Sequence, residues 1–373
     1  MKTMSSFPSL FPGMLLDAAS RYAQDHAAAA ELPGDPVREL GWTATLVAEE
    51  AGGVGGTLAD LASIVEGLAG QGLQLPVVES CAIVPLLLQA AAPETATRWL
   101  EAVADGSAQI APLTALSSMP DDTVVQARHL DIGFELNGTV QGVDLSLPAS
   151  HWLVPAEVEG ETGLFLVDAE RIGAPAARYR TMEGRRGADF RLARLAVPAG
   201  ACIARGAAAR DALAAAADAA LLLTATDTVA ALATLLQQTI GHLKERRQFG
   251  VTLSTFQVLR HRVADMYVKY LGAKGLVVHC FHAHEQKAAD LRRTLRLAKV
   301  SLAESARACA EAAIQMHGGM GVSEEVLATR LAQRLIASEF RYGDRLAHTA
   351  RLHRPQAEAA APAFQSNLTG SAR

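Results

Sequence analysis

The sequence predicts a mainly α-helical protein with a β-rich unit at its centre, and three observations carry this. Half of the 373 residues are hydrophobic while only 5% are aromatic, so small aliphatic side chains of high helix propensity fill the core. Apolar residues recur at three and four spacing toward both ends of the chain, as amphipathic helices require. Between Gln109 and Pro198 the periodicity shortens to β-like pieces separated by turn residues. A chain of this length exceeds one simple core and suits two or three packed units.

In order along the chain, the helical pattern holds from Leu15 to about Ala104, broken at Pro33-Gly34 and at Gly52-Gly53-Val54-Gly55-Gly56. Thr57 is placed to cap the helix that restarts there, and Asp60 favours its positive end. Thr123-Val124-Val125, Ile132 to Leu136, Trp152 to Pro155 and Gly163 to Val167 read as strands. Asn137-Gly138 and Glu183-Gly184 read as the turns of a small antiparallel barrel or sandwich. Helical patterns return from about Ala207 to Arg354, and Pro355 to Arg373, rich in Ala, Pro and Ser, reads as a frayed tail.

Composition excludes several functions. A formal charge of -5 without a basic arm argues against a nucleic-acid surface, so any anionic ligand must be met locally. Cys81, Cys202, Cys280 and Cys309 lack metal or redox spacing and suit reduced core thiols in a cytoplasmic protein. The first residues show neither a signal peptide nor a spanning helix, and the longest apolar stretches are interrupted by Asp, Gln or Thr. His261, His279, His282 and His284 have no HExxH or Cys-His pattern, so no metal is expected. The sequence contains no Gly-x-Ser-x-Gly, which argues against a hydrolase.

Two segments interrupt the helical stretches: Arg246-Arg247-Gln248-Phe249-Gly250 and Gln315-Met316-His317-Gly318-Gly319-Met320-Gly321. A guanidinium such as Arg246 offers a fixed fork of donors for pyrophosphate oxygens. Gly318-Gly319 lets backbone amides approach a phosphate or ribose. Gln248 or Gln257 suits remaining polar edges, Phe249 suits packing beside a cofactor, and Gln315 lies one helical turn before Gly319. Both segments also read as simple helix ends. The basic run from Arg292-Arg293 to Lys299 reads as a solvated helix face, with contact to a CoA phosphate as the alternative.

These motifs, with Ala48-Glu49-Glu50-Ala51-Gly52-Gly53-Val54-Gly55-Gly56-Thr57, Leu164-Phe165-Leu166-Val167-Asp168, Thr181-Met182-Glu183-Gly184-Arg185, Phe256-Gln257 and Ala264-Asp265-Met266, resemble the acyl-CoA dehydrogenase family in order and spacing over nearly the whole chain. The resemblance implies a mainly α fold with a central β-barrel: a helical domain (1–108), a middle β-barrel (109–205), a C-terminal four-helix bundle (206–355) and a flexible tail (356–373). It implies FAD across a subunit interface, with Arg246, Gln248, Phe249, Gln257, Gln315, Gly318 and Gly319 as its binding residues.

The catalytic half departs from the pattern. The family uses a Glu before a Gly-Thr pair to remove the α-proton of a thioester while the flavin takes the β-hydride. Here Phe340-Arg341-Tyr342-Gly343-Asp344 puts Tyr342 at that place, and the family's other base position falls on Ala220. Asp344, Glu339 and Asp218 are the nearby substitutes. Of the flavin-ring segment, Leu113-Thr114-Ala115-Leu116-Ser117-Ser118 keeps Thr114, and Gly142 stands where an aromatic shield is usual. The resulting expectation is no catalytic residue in this chain. It would be the non-catalytic subunit of a steroid side-chain type heterotetramer, supplying the ADP half of the FAD site to a catalytic partner that binds most of the acyl-CoA. The alternatives are a homo-oligomeric FAD enzyme with a displaced base, and a scaffold of the same fold that binds no nucleotide.

Overall fold

The computed structural model describes residues 7–26, 34–146 and 148–359. Its first elements are α1 (Met14–His26), α2 (Pro36–Glu39), α3 (Leu58–Ala69), a π-helical turn (Val78–Ile83) running into α4 (Val84–Leu88), and α5 (Pro93–Ala104). Thr57 caps α3 as its sequence position predicts. Its Oγ1 accepts from the Asp60 amide at 3.3 Å, and the Asp60 carboxylate accepts from the Thr57 amide at 2.8 Å. Gly53 is required by a close approach, since a Cβ there would sit 2.1 Å from the Val47 carbonyl oxygen.

The middle region comprises β1 (Ile110–Pro112), β2 (Val125–His129), β3 (Phe134–Asp144), β4 (His151–Val158), β5 (Glu161–Asp168), α6 (Ala169–Ile172), β6 (Ala177–Arg180), β7 (Arg186–Val197) and β8 (Cys202–Arg205). The strands pair in the order β6-β7-β3-β2-β4-β5-β8, with β1 also on β4. Two pairings, β1 with β4 and β2 with β4, are parallel. The sheet expected to be antiparallel, as a barrel or sandwich, is therefore mixed, and among the described residues no ladder is seen joining β6 to β8. Asn137-Gly138 is not a turn. It lies inside β3, where the pairing with β7 slips between Leu136 and Gly138, so its backbone freedom serves an irregularity within the strand. Glu183-Gly184 does turn the chain between β6 and β7, with Gly184 at φ +92°.

Alternation along β4 and β5 joins this sheet to the helices. Leu153, Leu164 and Leu166 enter the large helical core, whereas Trp152, Val154, Phe165 and Val167 point into the core of the sheet.

The chain continues with α7 (Gly206–Glu245), a hairpin of β9 (Arg247–Gln248) and β10 (Val251–Thr252), α8 (Gln257–Glu285), α9 (Leu291–His317), α10 (Leu327–Ser338) and α11 (Arg345–Ala359). Helix α7 packs on α8, α9 and α10, and also on α3. It is long and apolar enough to cross a bilayer, but 89% of its most apolar window is buried inside the protein, as in a core helix. Three of its buried threonines are satisfied within the helix: Thr226, Thr228 and Thr239 donate to the carbonyls four residues back at 3.1, 2.9 and 2.8 Å, whereas the Thr224 hydroxyl has no partner among the described residues. The one buried acid of α7, Asp227, forms a two-pronged pair with Arg334 of α10. Arg334 also donates to the Leu73 carbonyl at 2.9 Å, tying the helical C-terminal region to the N-terminal one. Helix α11 extends past the predicted boundary at residue 355 as far as Ala359, and the rest of the expected tail lies outside the described residues.

Candidate functional site

Tyr342 is 1% exposed and holds a positive φ of 54° in the α10–α11 turn. Its hydroxyl donates to Glu79 Oε1 at 2.7 Å. Arg341 and Arg185 reach the same oxygen at 3.3 and 3.5 Å, and Arg185 also meets Asp144 at 2.5 Å and Glu183 at 3.5 Å. Glu183 in turn accepts from Gln74 at 3.1 Å. Burial opposes the charge on Arg185, but Glu79, Asp144 and Glu183 outweigh it and raise its pKa. Burial, then the Glu79 charge, pushes the Tyr342 phenol well above its usual pKa, so it is unsuited to take a proton.

Backbone bonds close the same region. The Tyr342 and Gly343 amides donate to the Leu116 and Ser117 carbonyls at 2.7 and 3.1 Å, and the Leu116 amide donates to the Gly142 carbonyl at 2.9 Å. Lys299 braces the turn from below, its Nζ donating to the Ser338 and Arg341 carbonyls at 2.5 and 2.7 Å. Between Glu79, Thr114, Leu116, Asp144 and Tyr342 remains a cavity of about 20 Å³, room for a single water.

The expected substitute bases do not face this cavity. Asp344 caps α11 by accepting from the Ala347 amide at 2.8 Å. Glu339 is held by Arg307 and Arg345, each at 2.8 Å. Asp218, on α7, lies 3.4 Å from Arg292, and burial raises its pKa against that arginine. Ala220 is fully buried. The carboxylates that do line the cavity are Glu79 and Asp144. Sequence reasoning missed them, although a lone acid in the apolar run Pro76 to Leu88 signals a buried partner.

The second locus lies where α7 and α9 end together. His242 and His317 stack with centroids 4.3 Å apart and planes at 20°. Arg246 follows four residues after the first ring and Gly318 directly after the second. His317 is 7% exposed, and neither ring nitrogen has a partner among the described residues. Burial, then the neighbouring His242, pushes its pKa down to about 4. The Arg246 carbonyl accepts from the Leu253 amide at 2.8 Å, and the β9–β10 pairing brings the chain back toward Gln257 at the start of α8. Arg246, Gln248, Gln257 and Gln315 are all exposed, and no hydrogen bond or ion pair engages their side chains among the described residues. Phe249 is 89% exposed at φ 54°. Gly318 ends α9 at φ +60°, a conformation that itself favours glycine, whereas at Gly319 a Cβ would meet nothing within 4 Å and packing does not require the glycine.

The fold and the two loci define a helical–sheet–helical flavoenzyme class with an altered catalytic turn. Residues 14–107 match the acyl-CoA dehydrogenase N-terminal domain and residues 221–345 the acyl-CoA dehydrogenase C-terminal domain. The chain belongs to the acyl-CoA dehydrogenase family. It is 29% identical over 290 residues to acyl-CoA dehydrogenase IpdE2 of Mycobacterium tuberculosis, covering 77% of this chain and 74% of that protein. Among solved structures it is similar to the ChsE4-ChsE5 complex from Mycobacterium tuberculosis, with TM-score 0.79 at 21% identity over 94% of this chain and 99% of that one. It is also similar to a variant of the Tcur3481-Tcur3483 steroid ACAD, with TM-score 0.79 at 26% identity over 93% of this chain and 98% of that one.

FAD is the cofactor of this family, and the two loci answer it differently. Exposed polar side chains without partners around an open two-glycine turn fit the phosphate and adenosine end. The cavity beside Tyr342, with room for one water, does not fit a flavin ring, while the segment expected at the ring, Leu113 to Ser118, lines a separate cleft of about 170 Å³.

Proposed function

We propose that this chain is the subunit of a heteromeric acyl-CoA dehydrogenase that lacks a proton-abstracting base and lends its dinucleotide clamp to a catalytic partner, as a two-plus-two heterotetramer. The observation that carries this reading is the filled base locus: Tyr342 is hydrogen-bonded to Glu79 inside an ion cluster, beside a cavity of about 20 Å³. Similarity to the ChsE4-ChsE5 and Tcur3481-Tcur3483 complexes supports a mixed assembly, and the latter's description as a steroid ACAD supports a bulky steroid-type thioester as substrate.

In this assembly FAD supplies the hydride acceptor, while this chain grips and orients. Arg246 offers its fork to the pyrophosphate oxygens, Gly318 and Gly319 present amides, and the glutamines satisfy polar edges. Phe249 covers an apolar face. The partner's carboxylate removes the α-proton, because here the candidate acids are committed to Arg307, Arg345 and Arg292 or to a helix cap.

The test is expression of the chain alone and together with a family subunit that carries the usual Glu. Alone it should fold without bound flavin and reduce no dye in the presence of an acyl-CoA. Turnover by the isolated chain would overturn the reading.

A further inference from the structure

A cavity of about 210 Å³ lies beside segment 7–10 where α1, the end of α3, the middle of α7, α8 and the start of α10 meet. Glu66 lines it, and no lysine, arginine or histidine does. Glu66 Oε1 and Oε2 accept from the Leu10 and Phe11 amides at 2.7 and 2.8 Å. A carboxylate offers about four lone pairs, so some of its accepting capacity stays open. Burial raises the Glu66 pKa, and the two amides and the Lys274 charge offset this only in part. Lys274 itself donates to the Pro8 carbonyl at 2.6 Å. Tyr270 also lines the cavity and is 3% exposed, yet its hydroxyl has no hydrogen-bond partner among the described residues. Burial, then the Glu66 charge, pushes this phenol up to about 12, so the hydroxyl stands in the field of that carboxylate. A buried hydroxyl left unbonded is costly. The half-buried Gln71 and Gln237 amides in the lining have no partner either. Gln24 and Gln238 are exposed at its edge, and the rest is apolar apart from Ser9, Ser20 and Thr234, which donates to the Gly70 carbonyl at 2.8 Å.

The geometry points to a binding site for a small organic ammonium, with its cationic head between Glu66, the Tyr270 hydroxyl and the glutamine side-chain carbonyls. Its hydrocarbon body lies against Leu16, Val229 and Leu327. The sign follows from the lining, where the one charged side chain is an acid and the uncommitted polar groups all accept hydrogen bonds. The size follows from the volume, which is below that of drug-sized sites. Neither the clamp residues at the ends of α7 and α9 nor the Tyr342 cluster lines this cavity, so the inference stands apart from the flavin reading.

The full-length chain is titrated calorimetrically at neutral pH with cyclohexylamine and separately with cyclohexanol, which share a body and differ in charge. One amine per chain is expected, bound about tenfold or more tighter than the alcohol, the discrimination that charge-assisted hydrogen bonds supply. Tyr270→Phe removes a hydroxyl that no protein group uses, so it should leave the thermal melt unchanged and weaken the amine about threefold or more. Glu66→Gln should erase the preference for amine over alcohol. Where that change also loosens segment 7–10, Tyr270→Phe decides. No binding of the amine, amine no tighter than alcohol, or amine affinity equal in the parent and Tyr270→Phe would each overturn the proposal.

Discussion

The Tyr342 hydroxyl lies 2.7 Å from Glu79 Oε1, across 263 positions of sequence, at the place where the family resemblance leads to the expectation of a carboxylate base. Two acids cannot share this space. Tyr342→Glu should therefore restore no dehydrogenase activity to the isolated chain and should cost about 3 kcal/mol or more, because it sets a second carboxylate against Glu79. Tyr342→Phe, which removes only the hydrogen bond to a charged acceptor, should cost about 1–2 kcal/mol. Denaturant unfolding of both variants checks the order.

The Asp227–Arg334 pair is buried on both sides. Removing one partner strands a charge in the core, so Asp227→Ala should cost about 3–5 kcal/mol. Replacing both residues by leucine should recover much of that loss, although the Leu73 carbonyl then loses its donor. A double-mutant cycle in urea measures both.

His317 gives a pH dependence. Its folded pKa of about 4 lies below the reference value of 6.5, so as pH falls the unfolded chain takes up the proton first. Native stability is full above about pH 6.5 and declines between about 6.5 and 4. His317→Phe keeps an aromatic ring against His242 without buried unpartnered nitrogens. It should be no less stable than the parent at pH 7 and about 1–2 kcal/mol more stable relative to it at pH 5. Thermal melts across this range test it.

Local rules made much of this architecture legible. Thr57 and Asp60 announced their helix start, and the change from helical to alternating periodicity near residue 109 matched the onset of strands. The failures were long-range. Asn137-Gly138 looks like a hairpin turn in isolation, and only pairing of β3 with β7 turns it into an interior slip. The absence of the usual base at Tyr342 was readable, but what fills its place was not. Glu79, Asp144, Arg185 and Arg341 come from four distant segments, and no spacing rule links them. The two interruptions after α7 and α9 were legible individually, while the His242–His317 contact that brings them to one end of the bundle required the fold.

Arg246 is exposed and its side chain makes no hydrogen bond or ion pair among the described residues. Arg246→Ala should change the unfolding free energy of the isolated chain by no more than about 0.5 kcal/mol. A larger loss would assign the residue a structural role within the subunit.

The most direct measurement is the flavin content of the purified complex between this chain and its catalytic partner, read from absorbance against the amount of each polypeptide. The account predicts one FAD for each pair of unlike subunits, with Arg246→Ala in this chain alone lowering FAD retention while both subunits stay associated. One FAD for every polypeptide, or retention unaffected by Arg246→Ala, would contradict it.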